Sequence, residues 1–187
     1  MPEQKKISPL LPAQDWSAVD SGTMLLWRGR AYRLTVTRSL RKPALVPDGE
    51  ELRLNIYQAD DCPVAAWLAY WYRVKAAELI HQRANYWSRL MDEPFGRLTI
   101  REQRSRWGSC SSLRNLNFNW RLLMAPDEVI DYVVIHEIAH LKELNHSPAF
   151  WQIVETYDAA YKEHRQWLKE HGLELFAALP SPVRRRR

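Results

Sequence analysis

The first third of the chain alternates hydrophobic and polar residues in two short blocks, which predicts two β-hairpins. The first block is TMLLWRGRAYRLTVT, in which Arg28-Gly29 joins two β-type runs. The second is ALVPDGEELRLNIY, in which Pro47-Asp48-Gly49 has turn chemistry and the following apolar residues alternate with polar ones. We therefore expect β-hairpins over residues 22–62, preceded by an extended, proline-containing arm over residues 1–21.

Beyond the hairpins the hydrophobic period becomes helical and then returns to that of strands. Apolar residues at steps of three or four predict a long amphipathic helix over residues 63–93, before Pro94 and Gly96. The runs RLTIREQRSRWGSC and NLNFNWRLL then predict two strands of a small antiparallel sheet.

The last part of the chain predicts two helices. Pro126-Asp127-Glu128 places a proline and two acids where a helix start favours them, so a helix is expected over residues 127–143. Ser147-Pro148 supplies an N-cap and a first helical residue, and the apolar stripe that follows reaches Leu168. Strands and helices that are segregated along the chain indicate the α+β class.

Composition is that of an ordinary globular protein. The 187 residues fit one domain, with 46% hydrophobic and 26% charged residues. No apolar run approaches the roughly 20 residues of a membrane span, so no membrane association is expected. The N-terminus lacks the pattern of a secretory signal, and two cysteines are too few for a disulfide framework. These features predict a cytoplasmic protein.

The positive charge is concentrated at the C-terminus. Arg184–Arg187 supply four of the five net positive charges, which leaves a nearly neutral body without a basic nucleic-acid footprint. A nucleic acid or another anionic partner is therefore possible only through this tail, and a solvated tail is the simpler interpretation.

The predicted helix 127–143 carries the candidate chemistry. His136 and His140 are four residues apart, so their imidazoles lie on one helix face and can converge on one metal ion. Glu137 is rotated by about 100° from His136, which suits a general base better than a ligand. A zinc ion at such a site lowers the pKa of a bound water towards ~7, and the carboxylate takes the proton.

His146 can join this site only if the helix ends after His140. In a continuous helix it would lie about 15 Å along the axis from His136. We expect Asn145 to permit the break by adopting the left-handed conformation, after which Ser147-Pro148 starts the next helix.

Two alternatives stay open from the residues alone. Glu155, on the following helix, is a rival third ligand. His136 and His140 could also be satisfied core histidines, with Glu137 at the helix surface.

Three segments resemble one known family. SRWGSC, NFNWRLLMAP and DYVVIHEIAHLKELNHSPAFW are similar to the YgjP-like predicted metal-dependent hydrolases, which are grouped with the WLM and SprT-like zinc metallopeptidases. The resemblance covers roughly residues 101–168 and implies a zincin-like metallopeptidase fold. It also implies a Zn²⁺ ion bound by His136, His140 and His146, with Glu137 as the catalytic base. The histidine spacing equals that of the metzincins, but Glu143 occupies their glycine position and no Met-turn follows.

We expect the chain to consist of an arm over residues 1–21, one zincin-like domain over 22–178 and a basic tail over 179–187, with the arm and the tail outside the resemblance. Within that domain, residues 94–178 would form the metal-binding catalytic core.

The strand before the metal helix is the candidate substrate site. In zincin-like folds an edge strand beside the active-site helix binds an extended peptide, and EQRSRWGSCSS is the local candidate. Trp107, Gly108, Ser109 and Asn119 are the residues assigned to it. Residues of the types of Trp107 and Cys110 are more often plain core residues, and a minor alternative makes Cys110 an additional thiolate ligand. Oxyanion stabilisation could come from three other side chains, namely Tyr132, Tyr157 and Arg165.

We therefore expect a zinc-dependent hydrolase, most simply a peptidase that acts on a protein or peptide substrate. A hydrolase of a non-peptide bond, such as a phosphoanhydride, is the alternative within enzymes. A binding module with a structural zinc and a nucleic-acid-tethered protease are the alternatives from other classes, and an open fourth coordination position distinguishes a catalytic site from a structural one.

Overall fold

The computed structural model describes residues 10–11, 16–103 and 105–179. Most of the predicted N-terminal arm and nearly all of the basic tail lie outside these ranges. Within these ranges, seven strands and four α-helices follow one another in the order β1 Met24–Trp27, β2 Arg30–Ser39, β3 Ala44–Asp48, β4 Glu51–Tyr57, α1 Val64–Leu90, β5 Leu98–Arg101, β6 Gly108–Cys110, β7 Leu116–Asn119, α2 Asp127–Ala139, α3 Pro148–Tyr157 and α4 Tyr161–Ala177. A short 3₁₀ helix, Trp120–Met124, connects β7 to α2. The α+β class is confirmed.

The first sheet contains both predicted hairpins. Its strand order is β1-β2-β4-β3, with antiparallel pairs at β1–β2 and β3–β4. Arg28 and Gly29 both have positive φ, 50° and 75°, as the tight first hairpin requires. The two hairpins join through a parallel pair, β2–β4. Local alternation does not predict this pairing, because it identifies neighbours across a turn and not partners across a longer connection.

Helix α1 is confirmed, but the predicted apolar stripe, which runs from Ala66 and Tyr70 to Met91, matches the buried face only in part. Ile80, Ala84 and Met91 of the stripe are buried, whereas Tyr70 is 54% exposed and the buried residues of the first turns are instead Leu68 and Tyr72. The helix carries apolar side chains on several faces, so periodicity alone does not determine which one is buried. The Tyr72 hydroxyl donates to the Leu26 carbonyl oxygen at 2.7 Å and thereby ties α1 to β1.

The second sheet is mixed: the predicted antiparallel pair is confirmed at β6–β7, but the prediction missed a third strand, β5, that pairs parallel to β7. β7 lies in the middle, parallel to β5 and antiparallel to β6. The reason is that the run predicted as one strand contains two, β5 and β6, separated by residues 102–107. This separating segment carries the chain to the other side of β7 and leaves β6 at the edge of the sheet.

Helices α2 to α4 also differ from prediction in their ends. Helix α2 ends at Ala139 with His140 as its C-cap, four residues before the predicted end. The single helix expected after Ser147 is two helices, α3 and α4, because Asp158 has non-helical angles of φ −140° and ψ 87°. The Asp158 carboxylate stabilises this break by accepting from the Ala160 N–H at 3.2 Å and contacting His164 Nδ1 at 2.8 Å.

Helix α2 lies at the centre of the C-terminal half, in contact with α1, α3, α4 and β6. Every other element of the candidate site therefore packs against α2. Among the described residues, no helix combines the length and the apolar character that crossing a membrane requires.

Candidate active site

Helix α2 presents His136 and His140 on one face. Their ring centroids lie 4.9 Å apart, as expected for residues one turn apart. Tyr132, one turn earlier, continues the same face, with its ring 5.8 Å from that of His136. The helix is buried along most of its length, so these polar rings sit in a largely apolar environment.

The chain turns back directly after His140, as the position of His146 requires. The His140 ring takes part in this turn, since its Nδ1 lies 3.0 Å from the Glu143 carbonyl oxygen. Ser147 then caps α3, with its Oγ accepting from the Phe150 N–H at 3.2 Å, and Pro148 is the first helical residue. The predicted N-terminus of α3 is confirmed.

The predicted role of Asn145 is wrong. Asn145 is not among the described residues with positive φ. Its side chain stabilises the turn instead, with Oδ1 accepting from the Ser147 N–H at 3.0 Å. Such an Asx turn is the other conformation that asparagine favours, because its short side chain reaches the backbone two residues on.

The turn brings three imidazoles together. One donor atom from each of His136, His140 and His146 lies within 4.8 Å of the others. The Nε2 atoms of His136 and His146 are 3.1 Å apart. Two nitrogen ligands of a tetrahedral zinc lie about 3.3 Å apart when each Zn–N bond is ~2.0–2.1 Å, so the donor set fits a zinc ion.

Electrostatics also suit metal binding at this cluster. Burial lowers the pKa of His136 to about 3, and the neighbouring imidazoles act in the same direction. Burial likewise lowers the pKa of His140. Both rings are therefore neutral at neutral pH, which is the form that binds a metal. Because the Glu143 carbonyl can only accept, it favours the His140 tautomer that leaves Nε2 available.

Glu137 is a buried carboxylic acid beside this cluster. Its side chain is 6% exposed, and burial raises its pKa to about 8, while Arg106 acts in the opposite direction. Edge strand β6 passes directly over it. A β-carbon added to Gly108 would lie 2.5 Å from Glu137 Oε1, so only glycine fits this crossing without displacing the carboxylate.

A cleft of about 350 Å³ opens beside Glu137. One side consists of Trp107 and Gly108, at the start of β6, and another of His136 and Glu137 on α2. Helix α4 closes it with residues that include Arg165. The cleft thus joins the buried acid and one histidine of the cluster to an exposed strand edge.

The predicted substrate-binding residues do not all lie in the cleft. Trp107 lines the cleft and stacks on Phe176 of α4, with ring centroids 4.2 Å apart. Ser109 is partly buried in the edge strand, where its Oγ accepts from Asn117 Nδ2 at 3.3 Å.

The Asn119 side chain is fully buried, so it is placed to support the candidate substrate site and not to contact a substrate itself. Its Nδ2 donates to the Gln103 and Arg106 carbonyl oxygens at 2.7 and 3.2 Å, and its Oδ1 accepts from the Arg121 N–H. Asn119 therefore holds the segment that leads into Gly108.

Two of the three candidate oxyanion groups line the cleft, Tyr132 and Arg165. Burial raises the pKa of Tyr132 to about 12, which keeps its hydroxyl protonated and able to donate. Tyr157 is not among the residues that line the cleft.

The rival ligands lie apart from the histidines. Glu155 is exposed on α3 and contacts Lys162 at 3.9 Å, outside the histidine group. Cys110 Sγ donates to its neighbouring Ser111 carbonyl oxygen at 3.6 Å, and burial raises the pKa of this thiol to about 11. Among the described residues, only the three histidines form a group that could hold a metal.

Sequence reasoning missed two residues of the cleft, Arg106 and Lys169. Arg106 lies within the SRWGSC segment and precedes the glycine that crosses Glu137, which is a weak signal. Lys169 gives no signal, because only the packing of α4 brings it to the cleft.

Comparisons with known proteins identify the family of the chain. A family model described as "YgjP-like, metallopeptidase domain" matches residues 3–171. Among solved structures, the chain is similar to the metallopeptidase zymogen abylysin of Pyrococcus abyssi, with 21% identity, a TM-score of 0.44 and coverage of 49% of this chain and 93% of that one. Jannalysin, a metallopeptidase zymogen of Methanocaldococcus jannaschii, gives 18% identity, a TM-score of 0.44 and coverage of 49% and 94%. No curated protein matched the chain. Because the family match spans most of its length, including residues before the first hairpin, this chain belongs to the YgjP-like metallopeptidase domain family.

Proposed function

We propose that this protein is a zinc-dependent metallopeptidase in which His136, His140 and His146 bind the metal and Glu137 is the general base. One observation carries the proposal: three imidazole donors lie within 4.8 Å of one another on either side of a chain reversal, with a buried carboxylic acid next to one of them. Membership of a metallopeptidase family supports the reaction class.

The metal and the side chains have separate parts in this chemistry. A zinc ion at such a site polarises a carbonyl group and lowers the pKa of water towards ~7. Glu137 then accepts the proton of the attacking water and donates it to the leaving amine. Burial raises the pKa of Glu137 to about 8 although Arg106 acts in the opposite direction, and a divalent cation held by the three histidines would favour the carboxylate form that a base requires.

The surroundings of Glu137 suit an extended peptide. Strand β6 is at the edge of its sheet and borders the cleft, so its unpaired backbone groups can bind a peptide as an additional strand. Tyr132 and Arg165 line the same cleft, and either can donate a hydrogen bond to the oxyanion that forms.

Three protein ligands distinguish this proposal from a binding module with a structural zinc. Structural sites are closed by four protein ligands, whereas a catalytic site keeps one position open. Neither Glu155 nor Cys110 joins the histidine group. The arrangement therefore supports a catalytic site.

A second candidate function is hydrolysis of a phosphoanhydride. It is favoured by the three cationic side chains that line the cleft, Arg106, Arg165 and Lys169. The metal centre does not itself choose between a carbonyl and a phosphoryl group.

Two variants, one of the proposed base and one of a proposed metal ligand, test the proposal because they should lose different properties. Glu137→Gln should bind one zinc per chain with the wild-type fold but hydrolyse no peptide, since an amide cannot accept the proton. His140→Ala should lose most of the zinc. Metal analysis measures the zinc content, circular dichroism the fold and cleavage of a peptide library the activity. Hydrolysis of a nucleoside triphosphate by the wild-type protein tests the second candidate function. Near wild-type peptide turnover by Glu137→Gln would refute the assignment of the base.

A further inference from the structure

We propose that the cleft contains an anion subsite, formed by Arg106, Arg165 and Lys169, that selects substrates with an acidic side chain next to the scissile bond. The inference rests on the proposed peptidase function of the same site and adds to it the class of substrate. The observations behind the inference are the positive charges that line the cleft, and not the histidine cluster.

The cleft combines three cations with one buried acid. Arg106 comes from the segment before β6, and Arg165 and Lys169 come from α4 on another side. Glu137 is the one carboxylate among the described residues that line the cleft. Its deep burial and its role as base leave it unable to neutralise all three cations.

The three cations lack a carboxylate partner within the part of the chain that the structure describes. None of them forms an ion pair there, although several other arginines do. Arg121 and Arg73 share Glu102, and Arg114 pairs with Glu93 at 2.9 Å. Arg106, Arg165 and Lys169 are all exposed, so their charged groups are available to a ligand.

The two cleft cations on α4 lie where they destabilise the helix. Arg165 and Lys169 are four residues apart on one helix face, and like charges at this spacing repel each other and destabilise the helix. Arg165 is also oriented, since its guanidinium lies 5.0 Å from the centre of the Trp151 ring. An anion that binds between these side chains would offset their repulsion, which explains why both cations are held at the cleft.

The size of the cleft and the charge of the body favour a compact anionic group over a long polyanion. About 350 Å³ accommodates a side chain with its backbone. Arg184–Arg187 supply four of the five net positive charges, so the body offers no extended basic face for a nucleic acid. A glutamate or aspartate of a peptide bound along β6 fits both limits.

Three peptides that differ only in one residue beside the scissile bond, glutamate, glutamine or lysine, test the selection. With zinc-loaded wild type, kcat/KM should be about tenfold higher for the glutamate peptide than for the glutamine peptide, as charge-assisted hydrogen bonds allow, and lower still for lysine. The advantage should shrink in high salt.

Variants then assign the preference to residues. Lys169→Gln should reduce the glutamate advantage about three- to fivefold, in the range of an exposed ion pair, and Lys169→Glu should shift the preference towards the lysine peptide. The matched control is Lys162→Gln, on the same helix but not lining the cleft, which should keep the wild-type preference. Equal hydrolysis of all three peptides by wild type, or an unchanged preference in Lys169→Glu, would overturn the subsite.

Binding measured without turnover separates this inference from the proposed function. Glu137→Gln should bind a fluorescent glutamate peptide more tightly than the glutamine peptide, and adding Lys169→Gln should reduce this difference about three- to fivefold. If wild type cleaves no peptide but this difference is present, the peptidase proposal fails and the subsite stands. If instead inorganic diphosphate binds in a Lys169-dependent way while the glutamate and glutamine peptides bind equally, selection of an acidic side chain is refuted in favour of a phosphate ligand.

Discussion

The backbone of Gly108 and the side chain of Glu137 occupy adjoining space, so that the edge strand and the candidate base are positioned by the same contact. A β-carbon at position 108 would lie 2.5, 2.6 and 2.7 Å from Oε1, Cγ and Cδ of Glu137. Gly108 is not one of the described glycines with positive φ. The requirement for glycine at this position is therefore steric and not conformational. A peptide bound along β6 would therefore lie close to the carboxylate.

Gly108→Ala should displace the Glu137 carboxylate and lower kcat by at least about 100-fold, since removing a positioned general base costs 10²–10⁴-fold. Zinc content should stay near one per chain, because the three atoms nearest to an added β-carbon at position 108 all belong to Glu137 and none to a histidine of the cluster. Steady-state kinetics and metal analysis of the same preparation measure both quantities.

The matched control for this variant is Gly172→Ala on α4. A β-carbon at position 172 would meet Trp107 Cζ2 at 3.4 Å, an ordinary contact, and helix interiors favour alanine over glycine by about 1 kcal/mol. This control should keep most of the activity and gain stability. Full activity of Gly108→Ala would show that Glu137 tolerates displacement and that the contact has no catalytic importance.

Periodicity and motif spacing predicted the elements of the fold but not all of their partners. The hairpin around Arg28-Gly29 and the capped start of α3 at Ser147 are local features, each decided by a few residues, and both were predicted correctly. The parallel pairs β2–β4 and β5–β7 join strands across intervening segments, and no local pattern encodes them. The break at Asp158 was missed because the apolar stripe continues across it.

The candidate site shows the same division. His136 and His140 follow from helix geometry, and the convergence of His146 follows from the distance that a continuous helix would impose. Lys169 and Arg165 become neighbours of Glu137 only when α4 packs against α2, more than 25 residues along the chain. Asn119 carries a polar side chain typical of a surface, yet it satisfies buried backbone carbonyls.

The third metal ligand can be identified by comparing two variants. His146→Ala should weaken zinc binding by more than about 100-fold, because it removes one of three donors within 4.8 Å. Glu155→Ala should leave zinc affinity unchanged, since the exposed Glu155 carboxylate pairs with Lys162 and lies outside the histidine group. Competition titration with a chromogenic chelator measures both affinities. Loss of zinc in Glu155→Ala, with retention in His146→Ala, would reverse the assignment.

Asn145 tests how the turn positions His146. Asn145→Ala removes the acceptor of the Ser147 N–H and should lower zinc affinity modestly, by about five- to tenfold, as expected for one lost hydrogen bond of ~1 kcal/mol. Asn145→Asp keeps an acceptor at the same place and should bind zinc almost as wild type does. Asn145→Gly should resemble the alanine variant, because the backbone at this position does not require positive φ. A glycine variant with wild-type affinity would show that the side-chain contact is dispensable.

The ion pair between Arg28 and Asp127 connects the first hairpin to the N-terminus of α2, away from the histidines. Arg28 Nε donates to Asp127 Oδ1 at 2.7 Å, and this hydrogen bond lowers the pKa of Asp127 below its ordinary value of 3.8. The folded state therefore binds the proton of Asp127 less tightly than the unfolded state does. The stabilisation is fully present above the unfolded pKa and is lost as the pH falls through the folded one.

Asp127→Asn should consequently lower the free energy of unfolding at pH 7 by about 0.5–1 kcal/mol, a small value because both side chains are partly exposed. The difference between wild type and variant should stay constant from neutral pH down to about pH 5 and then diminish as the wild-type carboxylate becomes protonated. Urea unfolding across this range measures it. Arg28→Gln should give a similar loss at pH 7, and the double variant should lose less than the sum of the two, since each single change already breaks the same pair. A difference that grew on acidification would mean that the folded pKa of Asp127 is raised, which would contradict a stabilising interaction of its carboxylate with Arg28.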